Sequence, residues 1–436
     1  MRLTILGGGG FRVPLVHGAL LADRGEGRVT ELVLHDVDPG RLAAIERVLR
    51  QQAEDVPHAP RLLVTTDLTA ALTDVDFVFS AIRVGGMRGR QLDEQVALAE
   101  GVLGQETVGA GGVAYGLRTV PVAVDLARRI AELAPRAWVI NFTNPAGMVT
   151  EAMSAHLGGR VIGICDSPVG LCRRVARTLG VDPARAWFDY AGLNHLGWLR
   201  GVHVDGEDLL PPLLADAGAL ESFEEGKLFG ADWLRTLGAI PNEYLHYYYF
   251  TREAVAAAGD GSTSRGSFLL EQQRDFYADP ALTAWERTRL EREATYMAET
   301  RDGDRDSCDL DGGGYEKVAL ALMRAIARDE RTTLILNVRN GSTLPGLPSD
   351  AIVEVPCLVD TNGARPIGTA PLPGHAQGLV TALKAVERAT IEAATTGSRE
   401  AALRAFALHP LVDSVTVARR LLDGYVAVHP QLFPLR

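Results

Sequence analysis

A doubly wound parallel α/β sheet, followed by an α+β unit, is the fold class that three observations predict. Short apolar runs alternate with amphipathic helical stretches over the first 165 residues. Four consecutive glycines stand between the first such run and the first such helix. After Cys165 the alternation gives way to aromatic strands and charged helices, which marks a change of architecture rather than a repeat.

Arg2–Leu6 reads as a buried strand, Gly7–Gly10 as its exit turn, and Val13–Leu21 as a helix. Glu31–His35 is a second strand ending on Asp36, with an amphipathic helix over Arg41–Gln52. Leu62–Thr65, Phe77–Ile82, Ala137–Phe142 and Val161–Cys165 complete the strand series, and a helix over Val120–Leu133 precedes the fifth. Beyond it, Trp187–Val204 is strand-like, with alternation and aromatics, and ends in the turn Asp205-Gly206. Charged helical material fills Glu221–Arg328, broken by the Gly/Asp-rich stretch 302–314. Thr333–Val338 and Ile352–Val359 are two further strands, and a helical region runs from Gln377 to His429. With 436 residues, 47% of them hydrophobic, the chain supports two large units, residues 1–165 and 166–436.

Lys and Arg number 44 against 55 Asp and Glu, a net charge of −11, which argues against nucleic acid or an anionic membrane as the partner. Met1–Leu6 runs straight into glycine without a secretory pattern, and no apolar run approaches the roughly 20 residues of a spanning helix. Cys165, Cys172, Cys308 and Cys357 form no CxxC pair, so reduced thiols and a cytoplasmic location are expected.

Gly7, Gly8, Gly9 and Gly10 would let the backbone approach a pyrophosphate at the helix N-terminus, as in Rossmann-type domains. Arg12 occupies the third glycine position of G-x-G-x-x-G, and a tight turn is the simpler alternative. Asp36 shifts the balance. A carboxylate at the end of the second strand accepts ribose hydroxyls and repels a 2′-phosphate, which favours NAD over NADP.

Ligands of open α/β sheets sit beyond the carboxyl ends of the strands. Three polar clusters fall there: Arg83–Glu94 after Ile82, Asn141–Pro145 with Asn144, and Cys165-Asp166-Ser167-Pro168. Helix capping by Asp166 and Ser167 is the plain alternative for the last. His195, in Gly192–Trp198, is either a core histidine or a metal ligand. A thiolate from Cys165 and this imidazole could together hold a divalent ion and leave positions open for substrate oxygens.

The stretches GVLGQETVGAGGVAYGLRTVPV from Gly101, NFTNPAGMVTEAM from Asn141, GICDSP from Gly163, GLNHLGW from Gly192, IPNEYLHYYYF from Ile240 and VEVPCLVDTNG from Val353 carry a resemblance. In this order, over nearly the whole chain, they resemble family 4 of the glycoside hydrolases, above all its 6-phospho-β-glucosidase branch. The resemblance implies a lactate/malate-dehydrogenase-like fold overall and an exceptional glycosidase chemistry. NAD oxidises C3 of the sugar, and a divalent metal, usually manganese, polarises the ketone. A tyrosine then removes the C2 proton, the glycosidic oxygen leaves by elimination, water adds at C1 and the hydride returns.

By the same resemblance the metal residues are Cys165 and His195, and the base is Tyr244, with Tyr247, Tyr248 and Tyr249 nearby as alternatives. The dinucleotide would be held by Gly7–Gly10, Phe11, Arg12, Asp36, Ile82 and Asn144. The substrate would meet Arg90, Asn144 and, through its 6-phosphate, Arg265. Arg83 and Arg88 are expected to be solvated surface residues. Two departures are notable: Phe11 and Arg12 stand where small hydroxyl residues are common, and Asp166 stands where the β branch commonly has Asn. Aspartate there is the leaving-group acid of the α branch.

The expected activity is hydrolysis of a phosphorylated disaccharide or aryl glucoside to glucose 6-phosphate by a homodimer or homotetramer. Activity on α-glycosides or unphosphorylated sugars, a malate/lactate-type 2-hydroxyacid dehydrogenase, and a non-catalytic NAD sensor are the alternatives. The dehydrogenase would need a catalytic His–Asp pair and has no use for Cys165, His195 and Tyr244.

Overall fold

A computed structural model describes residues 1–259, 264–296, 314–429 and 435. Cys308 and most of the Gly/Asp-rich stretch lie outside the described residues. Cys165, Cys172 and Cys357 are buried free thiols, as expected.

Six strands form the parallel part of the sheet: β1 (Arg2–Leu6), β2 (Glu31–His35), β3 (Arg61–Thr65), β4 (Phe77–Ser80), β5 (Trp138–Asn141) and β6 (Val161–Gly163). Their order in space is β3-β2-β1-β4-β5-β6, the doubly wound arrangement, whose order reverses between β1 and β4. β1 is buried from Leu3 to Leu6, and β4 along its whole length. Such continuous apolar runs are what a strand covered on both faces requires.

The same sheet continues through the second half of the chain. β7 (Trp187–Leu193), β8 (Leu196–Val204), β9 (Glu207–Asp208), β10 (Ile240–Pro241), β11 (Thr332–Arg339), β12 (Ile352–Asp360) and β13 (Gly363–Pro366) are antiparallel. β11 joins β6 at Asn337 and Gly163, and the order outward is β6-β11-β12-β7-β8-β10. The two latest long strands thus lie between β6 and the β7–β8 hairpin.

Three elements differ from the sequence expectation. Trp187–Val204 is a hairpin, not one strand, because Asn194 and His195 form a two-residue turn with Leu193 opposite Leu196 and φ +62° at His195. The helix expected from Val120 begins at Gly109 and runs to Leu133. Its glycines weaken helical propensity, yet a Cβ on Gly112 would stand 2.5 Å from the Thr107 carbonyl oxygen, so close approach of the preceding loop explains the residue. The closing region is three helices, Gly374–Thr396, Arg399–Ala407 and Val415–Val428. No described helix is long and apolar enough to cross a membrane.

Candidate active site

A cavity of about 940 Å³ opens beyond the carboxyl ends of β1, β4, β5 and β6, the place an α/β sheet reserves for ligands. At the end formed by the glycine turn, the Gly7 and Gly8 amides donate to the His35 carbonyl, at 2.9 and 2.8 Å. Gly7 has φ +84°, and a Cβ there would lie 2.5 Å from the Ala81 oxygen, so only glycine serves. The Gly9 amide donates to Asp36 Oδ2 at 3.0 Å, and Gly10 donates to the Gly7 oxygen at 2.9 Å. Gly7, Gly10 and Asp36 line the cavity; Gly8 and Gly9 pack behind it against Leu34 and Arg41.

Phe11 packs edge-on against Phe276 at 5.2 Å, and its carbonyl accepts from Trp285 Nε1 at 2.8 Å. Arg12 reaches toward the other end of the cavity, 3.8 Å from both Asp166 and Glu293 and over the ring of Tyr315. Burial works against its charge, but the two carboxylates outweigh that and hold it above the ordinary arginine value. On the facing loops, the Ile82 amide donates to Thr143 Oγ1 at 3.0 Å. Buried Asn141 donates to the Thr143 and Ala146 carbonyls and to Thr150, and so shapes the turn that presents Asn144. Ile82 and Asn144 both line the cavity.

Cys165 follows β6 and faces the cavity. Burial, then the charges of Glu354 and Asp166, push its thiol well above the ordinary value. Asp166 occupies the N-cap position of the helix Ser167–Leu179, yet its side chain makes no capping hydrogen bond. Its carboxylate faces Arg12 instead.

His195 stands at the tip of the β7–β8 hairpin. Its Nδ1 lies 2.8 Å from Thr107 Oγ1, and burial pushes its pKa down to about 4, so it is neutral near pH 7. Its ring stacks on Tyr244, centroids 3.7 Å apart. Tyr244 sits in a short turn over Glu243–Leu245 whose amide donates to Asn242 Oδ1 at 3.1 Å. Burial and then Glu243 raise the Tyr244 hydroxyl well above the ordinary value, while the hydrogen bond it accepts from Tyr296, at 3.0 Å, works the other way. Tyr247 also reaches the cavity wall, whereas Tyr248 stacks near His409 and Tyr249 accepts from Trp198 Nε1 at 3.0 Å.

Arg90 lies on the helix Gly86–Ala99, buried, donating Nε to Glu94 at 2.8 Å and Nη1 to Glu106 at 2.6 Å. Glu94 also accepts from the Gly266 amide at 2.8 Å, which ties this helix to the one carrying Arg265 (Arg265–Ala278). Arg265 donates to Thr295 Oγ1 at 2.6 Å and to the Arg292 carbonyl at 2.7 Å. These bonds fix its guanidinium at the cavity wall.

Arg88 is exposed, as expected, but Arg83 is not a solvated residue: it lines the cavity and pairs with Glu106. Sequence reasoning assigned no role to Glu106, Arg292 or Tyr296. Glu106 carries the charge of both Arg83 and Arg90, and they hold its carboxyl far below the usual range against the cost of burial. Arg292 is pushed down to about 9 by burial and then by Arg12 and Arg265, the mark of crowded positive charge. GQET carried the signal for Glu106; nothing local marks the other two.

Among the described residues no group of three or more His, Cys, Asp and Glu is disposed to hold a metal. Cys165 and His195 nevertheless share the cavity, where the imidazole stacks on Tyr244. Two soft-to-borderline donors suit a divalent ion that completes its shell with substrate oxygens.

The Family 4 glycosyl hydrolase model matches residues 2–181, and the Family 4 glycosyl hydrolase C-terminal domain matches residues 190–412. A probable 6-phospho-beta-glucosidase of Bacillus subtilis is 33% identical over 100% of this chain and 97% of its own length. A 6-phospho-alpha-glucosidase of Leptotrichia buccalis is 30% identical over 99% and 98%. The 6-phospho-beta glucosidase from Thermotoga maritima, solved with manganese, NAD+ and glucose-6-phosphate, superposes with a TM-score of 0.85 at 26% identity, covering 100% of both chains. The malate dehydrogenase of Plasmodium falciparum shares the fold alone, with a TM-score of 0.50 at 15% identity over 91% of this chain and 99% of that one. The chain is a member of family 4 of the glycosyl hydrolases.

Proposed function

We propose that this protein hydrolyses 6-phospho-β-glucosides, releasing glucose 6-phosphate, with NAD+ and a divalent cation, manganese in the first instance. One observation carries the reading: a single cavity is lined by the dinucleotide turn with Asp36, by Cys165, His195 and Tyr244, and by Arg265 with Arg292. Residues 1–165 supply the dinucleotide side and the thiol; residues 166–436 supply the imidazole, the base and the phosphate side.

When bound, the nicotinamide and the cation supply reversible oxidation at the sugar C3 and polarisation of its oxygen. Asp36 accepts the adenosine ribose hydroxyls. Cys165 and His195 hold the cation. Arg265, fixed by Thr295 and the Arg292 backbone, grips the 6-phosphate with paired donors, and Arg292 adds a second positive charge. Arg90 and Asn144 orient the sugar ring. Tyr244 takes the C2 proton at its hydroxyl oxygen. Arg12 and Arg90 interact electrostatically with that hydroxyl, and their positive charge, with that of the cation, favours its ionised form against the upward push of burial.

Hydrolysis of 6-phospho-α-glucosides is the second reading. Asp166 favours it: the carboxylate lines the cavity beside Cys165 and is not spent on capping. Chromogenic β- and α-glucoside 6-phosphates and their unphosphorylated analogues, each assayed with and without NAD+ and Mn2+, test both. Cleavage of the β-linked phosphate requiring both additives supports the proposal. Preferential α cleavage moves it to the second reading. Formation of NADH with a hydroxy acid and no glycoside cleavage overturns it.

A further inference from the structure

The loop before the Gly109–Leu133 helix carries a contact that the proposed chemistry does not by itself explain. Gln105 Oε1 accepts from the Thr107 amide at 2.7 Å and the Val108 amide at 3.0 Å. Two backbone N–H donors fix that atom as the oxygen. The Thr107 hydroxyl lies 3.1 Å from the same oxygen and 2.8 Å from His195 Nδ1. A hydroxyl has one proton to give and lone pairs to receive. If it gives its proton to Gln105, it can only accept from His195, and the imidazole proton then stands on Nδ1.

We propose that Gln105 and Thr107 are positioning residues that hold His195 as the Nδ1–H tautomer and so turn the lone pair of Nε2 toward the cavity. The inference rests on the reading of His195 as a metal ligand and adds to it how the ligand atom is chosen. The backbone makes the arrangement worth fixing. His195 sits at φ +62° in a two-residue turn, a conformation disfavoured for a side-chain-bearing residue. The Tyr244 ring closes one face of the imidazole. Ring plane and turn thus set the direction of the imidazole, and the Thr107 contact sets which nitrogen is bare. A partner on the second nitrogen of a metal-binding histidine usually governs affinity by 10- to 100-fold.

The test compares the wild-type protein with Thr107→Val, which keeps the shape and removes the hydroxyl, and with Thr107→Ser, which restores it. In metal-free protein with 15N-labelled histidine, the wild type and Thr107→Ser should show a protonated Nδ1 and a bare Nε2. Thr107→Val should show loss of that preference. By calorimetry, Thr107→Val should bind Mn2+ about 10- to 100-fold more weakly, with NAD+ affinity unchanged and Thr107→Ser near wild type. A folded Thr107→Val protein with the wild-type tautomer and wild-type Mn2+ affinity would overturn the inference and leave the metal reading standing. A wild type that binds Mn2+ no better than His195→Ala would overturn the metal reading, and with it this inference.

Discussion

The ring of His195 lies flat on the ring of Tyr244, with centroids 3.7 Å apart and planes 7° from parallel. The imidazole proposed as a metal ligand and the phenol proposed as the base are thereby held as one rigid pair, and neither can turn without displacing the other. The Tyr244 hydroxyl is free to differ from the ring in its role, because stacking needs only the ring.

Replacing Tyr244 with Phe should therefore keep the stack and lose the base. Turnover of the 6-phosphoglucoside is expected to fall by about 10²- to 10⁴-fold, the range of general-base contributions. NAD+ affinity should stay near wild type, with a modest fall in melting temperature from the lost acceptor for Tyr296. Steady-state kinetics beside a dinucleotide titration check this, and full activity would transfer the base to another tyrosine, with Tyr247 the first to examine.

Arg265→Gln should separate phosphorylated from plain substrates. Hydrogen bonds to a charged group contribute about 1.5–3 kcal/mol, so kcat/KM for the 6-phosphate should drop about 10- to 100-fold. The rate with the unphosphorylated glucoside should barely change. An equal fall for both substrates would mean that Arg265 supports the helix rather than the phosphate.

Asp36 is the residue expected to set dinucleotide choice, and its Oδ2 already orders the glycine turn through the Gly9 amide. Asp36→Ser should weaken NAD+ binding by about 10- to 100-fold and strengthen NADP+ binding, read by fluorescence titration of both. Unchanged selectivity would assign the carboxylate to the turn alone.

His409 offers a test in pH. Burial pushes its pKa down to about 3, while its Nδ1 accepts from the Leu411 amide at 3.1 Å. Its folded value lies below its unfolded one near 6.5, so its stabilising contribution is full above pH 6.5 and is lost as pH falls toward 3. His409→Asn retains an acceptor for that amide and removes the titration. The melting temperature of the variant should fall less steeply between pH 6.5 and 4 than that of the wild type.

Much of the candidate site's lining was legible because its signals are local. A glycine turn after β1, an acid after β2 and a Cys-Asp pair after β6 announce themselves by where they fall on an alternating pattern. What was hidden depended on distance along the chain. Arg83 read as a solvated arginine because its partner, Glu106, lies on a later loop. Arg292, on the helix Leu282–Ala294, and Tyr296, just past its end, acquire meaning only when this segment packs against Arg265 and Tyr244. The hairpin turn at Asn194-His195 escaped because strand-like aromatic and apolar residues stand on both sides of it and the turn itself contains no glycine or proline, and the helix start at Gly109 because glycines that serve packing look like glycines that break helices.

The order of strands has a consequence for how the protein is made. Cys165 leaves β6 and His195 rides on the β7–β8 hairpin, close in sequence, yet β11 and β12 lie between those strands in the sheet. As the chain emerges from the ribosome, the six parallel strands can pair in sequence, whereas the hairpin has no lasting place until Thr332–Asp360 has been synthesised. The thiol and the imidazole are translated early and brought to register late. A nascent chain halted before that point holds the six parallel strands without the juxtaposition of Cys165 and His195 at the cavity.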